Sequence, residues 1–171
     1  MNPLRRLIQN PEKILAPYVA GGMTVVDIGS AMGYFSLPLA RMVGPQGKVI
    51  CVDVQEKMLG VLRNRARREQ LAERIITRVC EPASLGLDDF YGQVDFALAF
   101  ALVHEVANVP KLFGEIANLL KPNGCCLVAE PKGHTSVQDF EEALSAARDN
   151  GLSPVSRPKI IWSRAALLKK E

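Results

Sequence analysis

The chain has 171 residues, 48% hydrophobic and 23% charged, the balance of one ordinary globular domain that folds on its own core. A net charge of +3 is too small to imply nucleic acid, no apolar run approaches the length that spans a bilayer, and no signal segment opens the chain. The expectation is a cytoplasmic protein with no membrane partner.

In chain order, a helical N-terminal segment over residues 1–22 precedes a buried strand at Thr24 to Ile28. A glycine-rich turn follows, then a helix from about Tyr34 to Met42. Lys48 to Val54 is a second strand, rich in Val and Ile. Gln55 to Glu73 is a helix with Met58, Leu59, Leu62, Ala66 and Leu71 on one face. Its arginines, Arg63, Arg65, Arg67 and Arg68, together with Arg74, read as a solvated face. Ile75 to Cys80 and Val94 to Phe100 are strands three and four. Val109 to Leu120 is an amphipathic helix, broken by Lys121-Pro122-Asn123-Gly124. Cys125 to Glu130 is a fifth strand, Ser136 to Asp149 a helix ended by Asn150-Gly151, and Leu152 to Lys170 a terminal hairpin.

Strands apolar on both faces and alternating with helices indicate a single-domain α/β fold, a doubly wound parallel sheet covered on both sides. Ligands of such sheets bind outside the carboxyl ends of the strands, where strand order reverses. The hairpin adds an antiparallel strand at the sheet's edge. Cys51, Cys80, Cys125 and Cys126 form no CxxC pair. They read as small buried hydrophobes, with thiol capture of a soft metalloid as the sharper alternative, and no metal site is expected.

The segment Val25-Val26-Asp27-Ile28-Gly29-Ser30-Ala31-Met32-Gly33-Tyr34-Phe35 joins the first strand to the first helix. Gly29 adopts dihedrals closed to other residues, and Gly33 lets a ligand approach the backbone. Asp53, at the end of the second strand, is placed to accept both hydroxyls of a ribose. A nicotinamide site wants GxGxxG, which admits a pyrophosphate. Here the spacing is GxxxG with Ala31 between, and the extra carboxylate of Asp27 suits a ligand with a positive amino group.

On these residues the chain resembles the class I S-adenosylmethionine-dependent methyltransferases, from about Val25 to Lys170. The glycine-rich segment is similar to their first motif, Asp53 to their ribose-binding acid, and Lys121-Pro122-Asn123-Gly124 to their KPGG turn. The hairpin is similar to their added antiparallel strand. The small branch of ubiquinone and menaquinone biosynthesis enzymes and arsenite methyltransferases is the nearest in flavour. The resemblance implies a mostly parallel seven-stranded sheet with a C-terminal antiparallel hairpin, and S-adenosyl-L-methionine as cofactor with S-adenosyl-L-homocysteine as product. It implies cofactor contacts from Asp27, Gly29, Ser30, Ala31, Gly33, Phe35, Asp53, Val54, Met58, Phe100 and Ala101, and an adenine side at Cys80 or Glu81. Two departures stand out: Ala31 where the family usually has glycine, and Cys80-Glu81 where it often has Asp.

The acceptor is expected to be a small molecule, held by residues after strands four and five. His104 is the candidate base for an O-methylation, or a hydrogen-bonded residue capping the next element. Glu130 orients the acceptor or base, or caps the segment that follows. Lys132 and His134 are loop charges that attract an anionic acceptor or are simply solvated. Tyr18 and Trp162 read as packing residues, although Tyr18 covers the cofactor if the N-terminal helix folds over the site. Two alternatives remain beside methyl transfer: an NAD(P)-dependent oxidoreductase and a non-catalytic S-adenosylmethionine-binding protein. For a methyltransferase the acceptor site is built from the N-terminal helix, loops or a partner subunit of a homodimer.

Overall fold

The apolar runs become the strands of one sheet. A computed structural model describes residues 9–171. In order these residues form α1 (Pro11–Leu15), β1 (Thr24–Ile28), α2 (Ser36–Met42), β2 (Lys48–Asp53), α3 (Glu56–Arg68) and β3 (Ile75–Val79). Then come β4 (Val94–Phe100), α4 (Val109–Leu119), β5 (Leu120–Pro131), α5 (Val137–Asp149), β6 (Leu152–Ser156) and β7 (Ser163–Lys170). The seven-stranded sheet has the order β3-β2-β1-β4-β5-β7-β6. The first five strands pair in parallel, and β7 runs antiparallel to both β5 and β6.

Strand alternation sends β1 residues to opposite faces, and both faces are apolar because both are covered. Val26 and Ile28 join Phe113, Ile116, Phe140 and Leu144 beneath α4 and α5. Val25 joins Leu15, Leu37, Leu59, Leu62 and Phe96 beneath α1, α2 and α3. Phe96 and Phe113 are essentially fully buried, so truncating either to alanine costs about 3–5 kcal/mol. The order of strands reverses between β1 and β4. The loops that follow these two strands therefore face each other across a crevice.

Several expectations need correction. The helix expected to Glu73 ends at Arg68, because Gln70 turns left-handed at φ 58° and a 3-10 turn at Ala72–Arg74 follows. Lys121-Pro122-Asn123-Gly124 is not a free turn before the strand. It bulges within β5, where Leu120 pairs with Val94 and Cys125 with Phe96. Lys121 Nζ donates to Asp95 Oδ1 at 2.7 Å across that bulge, and Asn123 takes φ 64°.

The expected helical segment over residues 1–22 is represented by α1 alone among the described residues, and residues 1–8 lie outside them. Tyr18 stacks on Phe96 with ring centroids 5.9 Å apart; it is a packing residue and does not cover the site. Trp162 is not packed: it is 67% exposed at the β6–β7 turn.

Within the arginine cluster Arg67 and Arg68 are exposed, as a solvated face requires, while Arg63, Arg65 and Arg74 are tied down. Arg63 Nη1 donates to Thr77 Oγ1 at 3.1 Å, and Arg74 Nη1 donates to the Ala40 carbonyl at 3.1 Å. Arg65 donates to the Met32 carbonyl and so holds the glycine-rich loop from outside.

Candidate active site

The β1–α2 loop is fixed by backbone donors. Gly29 N–H and Ser30 N–H both donate to the Val52 carbonyl, at 2.9 and 3.0 Å. Ala31 N–H donates to Asp53 Oδ2 at 2.8 Å, and Gln55 N–H donates to Asp53 Oδ1 at 2.8 Å. Each carboxylate oxygen of Asp53 thus holds one backbone donor and keeps lone pairs for a ligand. A cavity of about 410 Å³ opens beside it. Gly29, Ala31, Asp53, Val54, Cys80, Glu81, Phe100 and Ala101 all line this cavity, so eight of the expected cofactor residues converge on one space.

The other five lie around it. Asp27 is 3% exposed and accepts a 2.6 Å hydrogen bond from Ser36 Oγ. Burial pushes its carboxyl up to about 7; the Ser36 hydrogen bond opposes that, and the nearby charge of Asp53 adds to it. Ser30 Oγ is buried without a hydrogen-bond partner among the described residues. Phe35 packs in the core with its ring 4.5 Å from that of Phe100. Met58 is partly buried at the start of α3.

Gly33 is closely packed against α3. A Cβ there would come within 2.3 Å of Leu62 Cδ1, and its φ is 82°. At Gly29 a Cβ would meet Leu102 Cδ1 at 3.0 Å, so glycine admits the close approach of the loops after β1 and β4. Ala31 sits at φ 46°, a dihedral that glycine adopts without penalty.

The residues present fit S-adenosylmethionine. Asp53 has free acceptor positions that a ribose diol would use, Val54 is an exposed apolar side chain on the cavity wall that an adenine would cover, and Ser30 Oγ is an orphaned polar atom in the loop. Asp27 is a carboxyl that a ligand ammonium would ionise. Both Cys80 and Glu81 reach the cavity wall, and Cys80 N–H is tied to the Asp53 carbonyl at 3.1 Å. Cys51 and Cys126 are fully buried within strands, and burial pushes both thiols up. These thiols pack and do not reach a ligand.

Glu130 is the penultimate residue of β5 and is 1% exposed. Its Oε1 accepts from Leu102 N–H at 3.0 Å and Val103 N–H at 2.9 Å. Its Oε2 accepts from His104 N–H at 3.4 Å and Thr135 Oγ1 at 3.4 Å, and meets His104 Nδ1. The carboxylate therefore pins the loop after β4 and the His104 ring together. His104 does not face the cofactor cavity. It lines a second cavity of about 440 Å³ with Val103, Val106, Phe140 and His134, and its ring centroid lies 5.5 Å from that of His134. Val106 lines both cavities.

Sequence reasoning missed Glu115. It accepts from Ser84 Oγ at 2.8 Å and Leu85 N–H at 2.7 Å, and so holds the loop after β3 against the cofactor cavity, which it also lines. A signal existed: Glu115 falls three residues after Leu112 and four before Leu119, an acid in the apolar stripe of α4. Among the described residues no three His, Cys, Asp or Glu side chains cluster to hold a metal ion. No described helix is long and apolar enough to cross a membrane.

A family model described as a methyltransferase domain matches residues 20–160. A ubiquinone/menaquinone biosynthesis C-methyltransferase, UbiE, of Cellvibrio japonicus is 34% identical over 137 residues, 80% of this chain and 52% of that protein. The chain spans about half the length of the curated relatives it matches. Among solved structures, a SAM-dependent methyltransferase from Aquifex aeolicus superposes with a TM-score of 0.87 at 23% identity, covering 99% of this chain and 94% of that one. A geranyl diphosphate C-methyltransferase from Streptomyces coelicolor superposes with a TM-score of 0.74 at 18% identity, covering 94% and 78%. With the family model matching most of its length, the chain belongs to the methyltransferase domain family.

Proposed function

We propose that the chain methylates a small hydroxylated ring, at carbon rather than at oxygen, using the second cavity as the acceptor site. The observation that carries this is the pairing of His104 Nδ1 with the buried Glu130 carboxylate, at the wall of a cavity of mixed polar and apolar lining that adjoins the cofactor crevice. The curated relatives' description as C-methyltransferases supports the choice of carbon.

S-adenosylmethionine supplies an activated methyl group, so the protein mainly provides proximity and alignment, plus a base for the acceptor's proton. Glu130 takes the Nδ1 side of His104, which leaves Nε2 as the atom that accepts a proton from a ring hydroxyl. With the hydroxyl proton taken up by His104, electron density would rise at the neighbouring ring carbon. The methyl group would pass from the sulfonium to that carbon as the S–C bond breaks and S-adenosylhomocysteine leaves, and the carbon's own proton would be lost to water to restore the ring. His104 is thus the proposed catalytic base and Glu130 its orienting carboxylate. Asp53 holds the ribose, Asp27 and Ser30 the methionine end, and Val54 with Cys80 or Glu81 the adenine. Gly29, Ala31, Phe100 and Ala101 shape the wall. Gly33, Phe35 and Met58 support the loop from behind.

The test is transfer of a labelled methyl group to a set of hydroquinones and phenols, with product analysis of the methylated atom. Wild type yields a carbon–methyl product. His104→Ala loses at least about a hundredfold in kcat while S-adenosylhomocysteine binds as before. Unchanged turnover in His104→Ala removes the histidine from the chemistry, and an exclusively oxygen-methylated product overturns the choice of carbon.

A further inference from the structure

We infer that the tip of the β6–β7 hairpin and the start of α5 form a docking surface for an anionic lipid bilayer. Val137, Ile161 and Trp162 are 62%, 58% and 67% exposed and line one open groove of about 560 Å³. Large apolar side chains gathered in one place on a surface mark a contact site more often than chance exposure.

The tip is built, not loose. Trp162 takes φ 60°, a left-handed backbone that a bulky residue adopts at a cost. Its carbonyl is held by Lys132 N–H at 2.9 Å, and the Ile161 carbonyl accepts from Gln9 Nε2 at 3.3 Å. The fold therefore spends backbone strain to hold an indole outward.

Charge selects the occupant. Lys132, Lys159 and Arg164 line the same groove, and among the described residues no ion pair takes up any of the three. The groove's acid, Glu141, is paired with Arg157. The face is thus apolar at its centre and net positive at its rim. A second copy docked through this face across a two-fold axis would set these cations against their own counterparts. A bilayer carrying anionic headgroups matches both features, because tryptophan settles at the headgroup level and each nearby Lys or Arg adds attraction.

Position adds a use. Ser163 pairs with Pro131 at the carboxyl end of β5, so the hairpin tip stands on the same rim as the cavity lined by His104 and His134. An acceptor drawn from a membrane would enter without crossing bulk water. That point rests on the proposed acceptor site, whereas docking itself does not.

Vesicle co-sedimentation of the full chain tests the inference. The chain is expected to bind phosphatidylcholine vesicles doped with phosphatidylglycerol, not phosphatidylcholine alone, and to be released as salt rises. Ile161→Ser/Trp162→Ser and Lys159→Glu/Arg164→Glu are each expected to lower partitioning about tenfold or more. Unchanged affinity for S-adenosylhomocysteine by calorimetry shows that each variant is folded. Equal binding to neutral vesicles, wild-type partitioning of both variants, or a dimer that the apolar variant dissociates while no vesicle is bound overturns it. The His104→Ala variant is expected to dock as wild type does, so the acceptor proposal and the docking proposal fail separately.

Discussion

Asp27 is a buried carboxyl under electrostatic tension. Its folded carboxyl titrates at about 7 against 3.8 for a free aspartate, chiefly because burial disfavours the charge. A carboxyl kept neutral by the fold stabilises most at low pH. Its contribution is full below about 3.8, is lost as pH rises while the unfolded chain ionises first, and reaches its floor above about 7. The swing is on the order of 4 kcal/mol. Asp27→Asn is therefore expected to flatten the fall of stability between those two values in urea melts. A ligand ammonium acts the other way and favours the ionised form. Binding of S-adenosylhomocysteine near pH 6 is accordingly expected to release a proton from Asp27 (~1 at most). Calorimetric heats that vary with buffer ionisation enthalpy in wild type, and no longer do so in Asp27→Asn, would bear this out; invariant heats in wild type would place the ammonium elsewhere. Asp27 was legible because it stands two residues before Gly29. Its burial was not legible, since only the fold brings Ser36 beneath it. The same holds for Ala31: the sequence shows an alanine where resemblance implies glycine, and only the backbone shows the dihedral of 46° that makes the difference matter.

At the scale of elements, α3 shows why ends are harder to read than middles. Its apolar stripe of Leu59, Leu62 and Ala66 is buried as the periodicity requires. No glycine announces its end, yet the C-terminus forms a regular left-handed cap. Leu71 N–H donates to the Ala66 carbonyl at 2.8 Å and Gln70 N–H to the Arg67 carbonyl at 3.1 Å, the paired bonds of a Schellman motif. Gln70 occupies the left-handed position with φ 58° and an exposed side chain. Gln70→Gly relieves that strain without removing a contact, and is expected to raise unfolding stability by about 1 kcal/mol. A denaturation midpoint at or below the wild-type value would show that the cap is not strained. The fifth strand makes the parallel point. Lys121-Pro122-Asn123-Gly124 was legible as a break in α4, but its place inside β5 depends on Asp95 of the neighbouring strand, a partner 26 residues away. Glu130 likewise reads as acceptor-side or capping, and its hold on the loop after β4 becomes visible only with the three backbone donors of residues 102 to 104.

The whole molecule gathers its site from loops after four parallel strands, and Asp53 is where two of them are tied. Its oxygens bind the loop after β1 through Ala31 and the start of α3 through Gln55, while the adjoining carbonyl holds Cys80 after β3. A ligand that spans this crevice stabilises all of them together, because it binds the folded chain and not the unfolded one. At a free S-adenosylhomocysteine concentration about a hundred times Kd the gain is about 2.7 kcal/mol. For a domain of this size that raises Tm by roughly 5–11 °C. NADH at the same concentration is expected to give no shift, since the GxxxG loop lacks the glycine spacing that admits a pyrophosphate. Asp53→Asn separates scaffold from site. Losing a carboxylate that accepts two backbone N–H donors lowers the ligand-free Tm, so the informative quantity is the ligand-induced shift. If the ribose diol is held at Asp53, that shift collapses in the variant at concentrations that saturate wild type. A full shift in Asp53→Asn, or a shift with NADH comparable to that with S-adenosylhomocysteine, would mean that the crevice holds its ligand by other groups than those that converge on it.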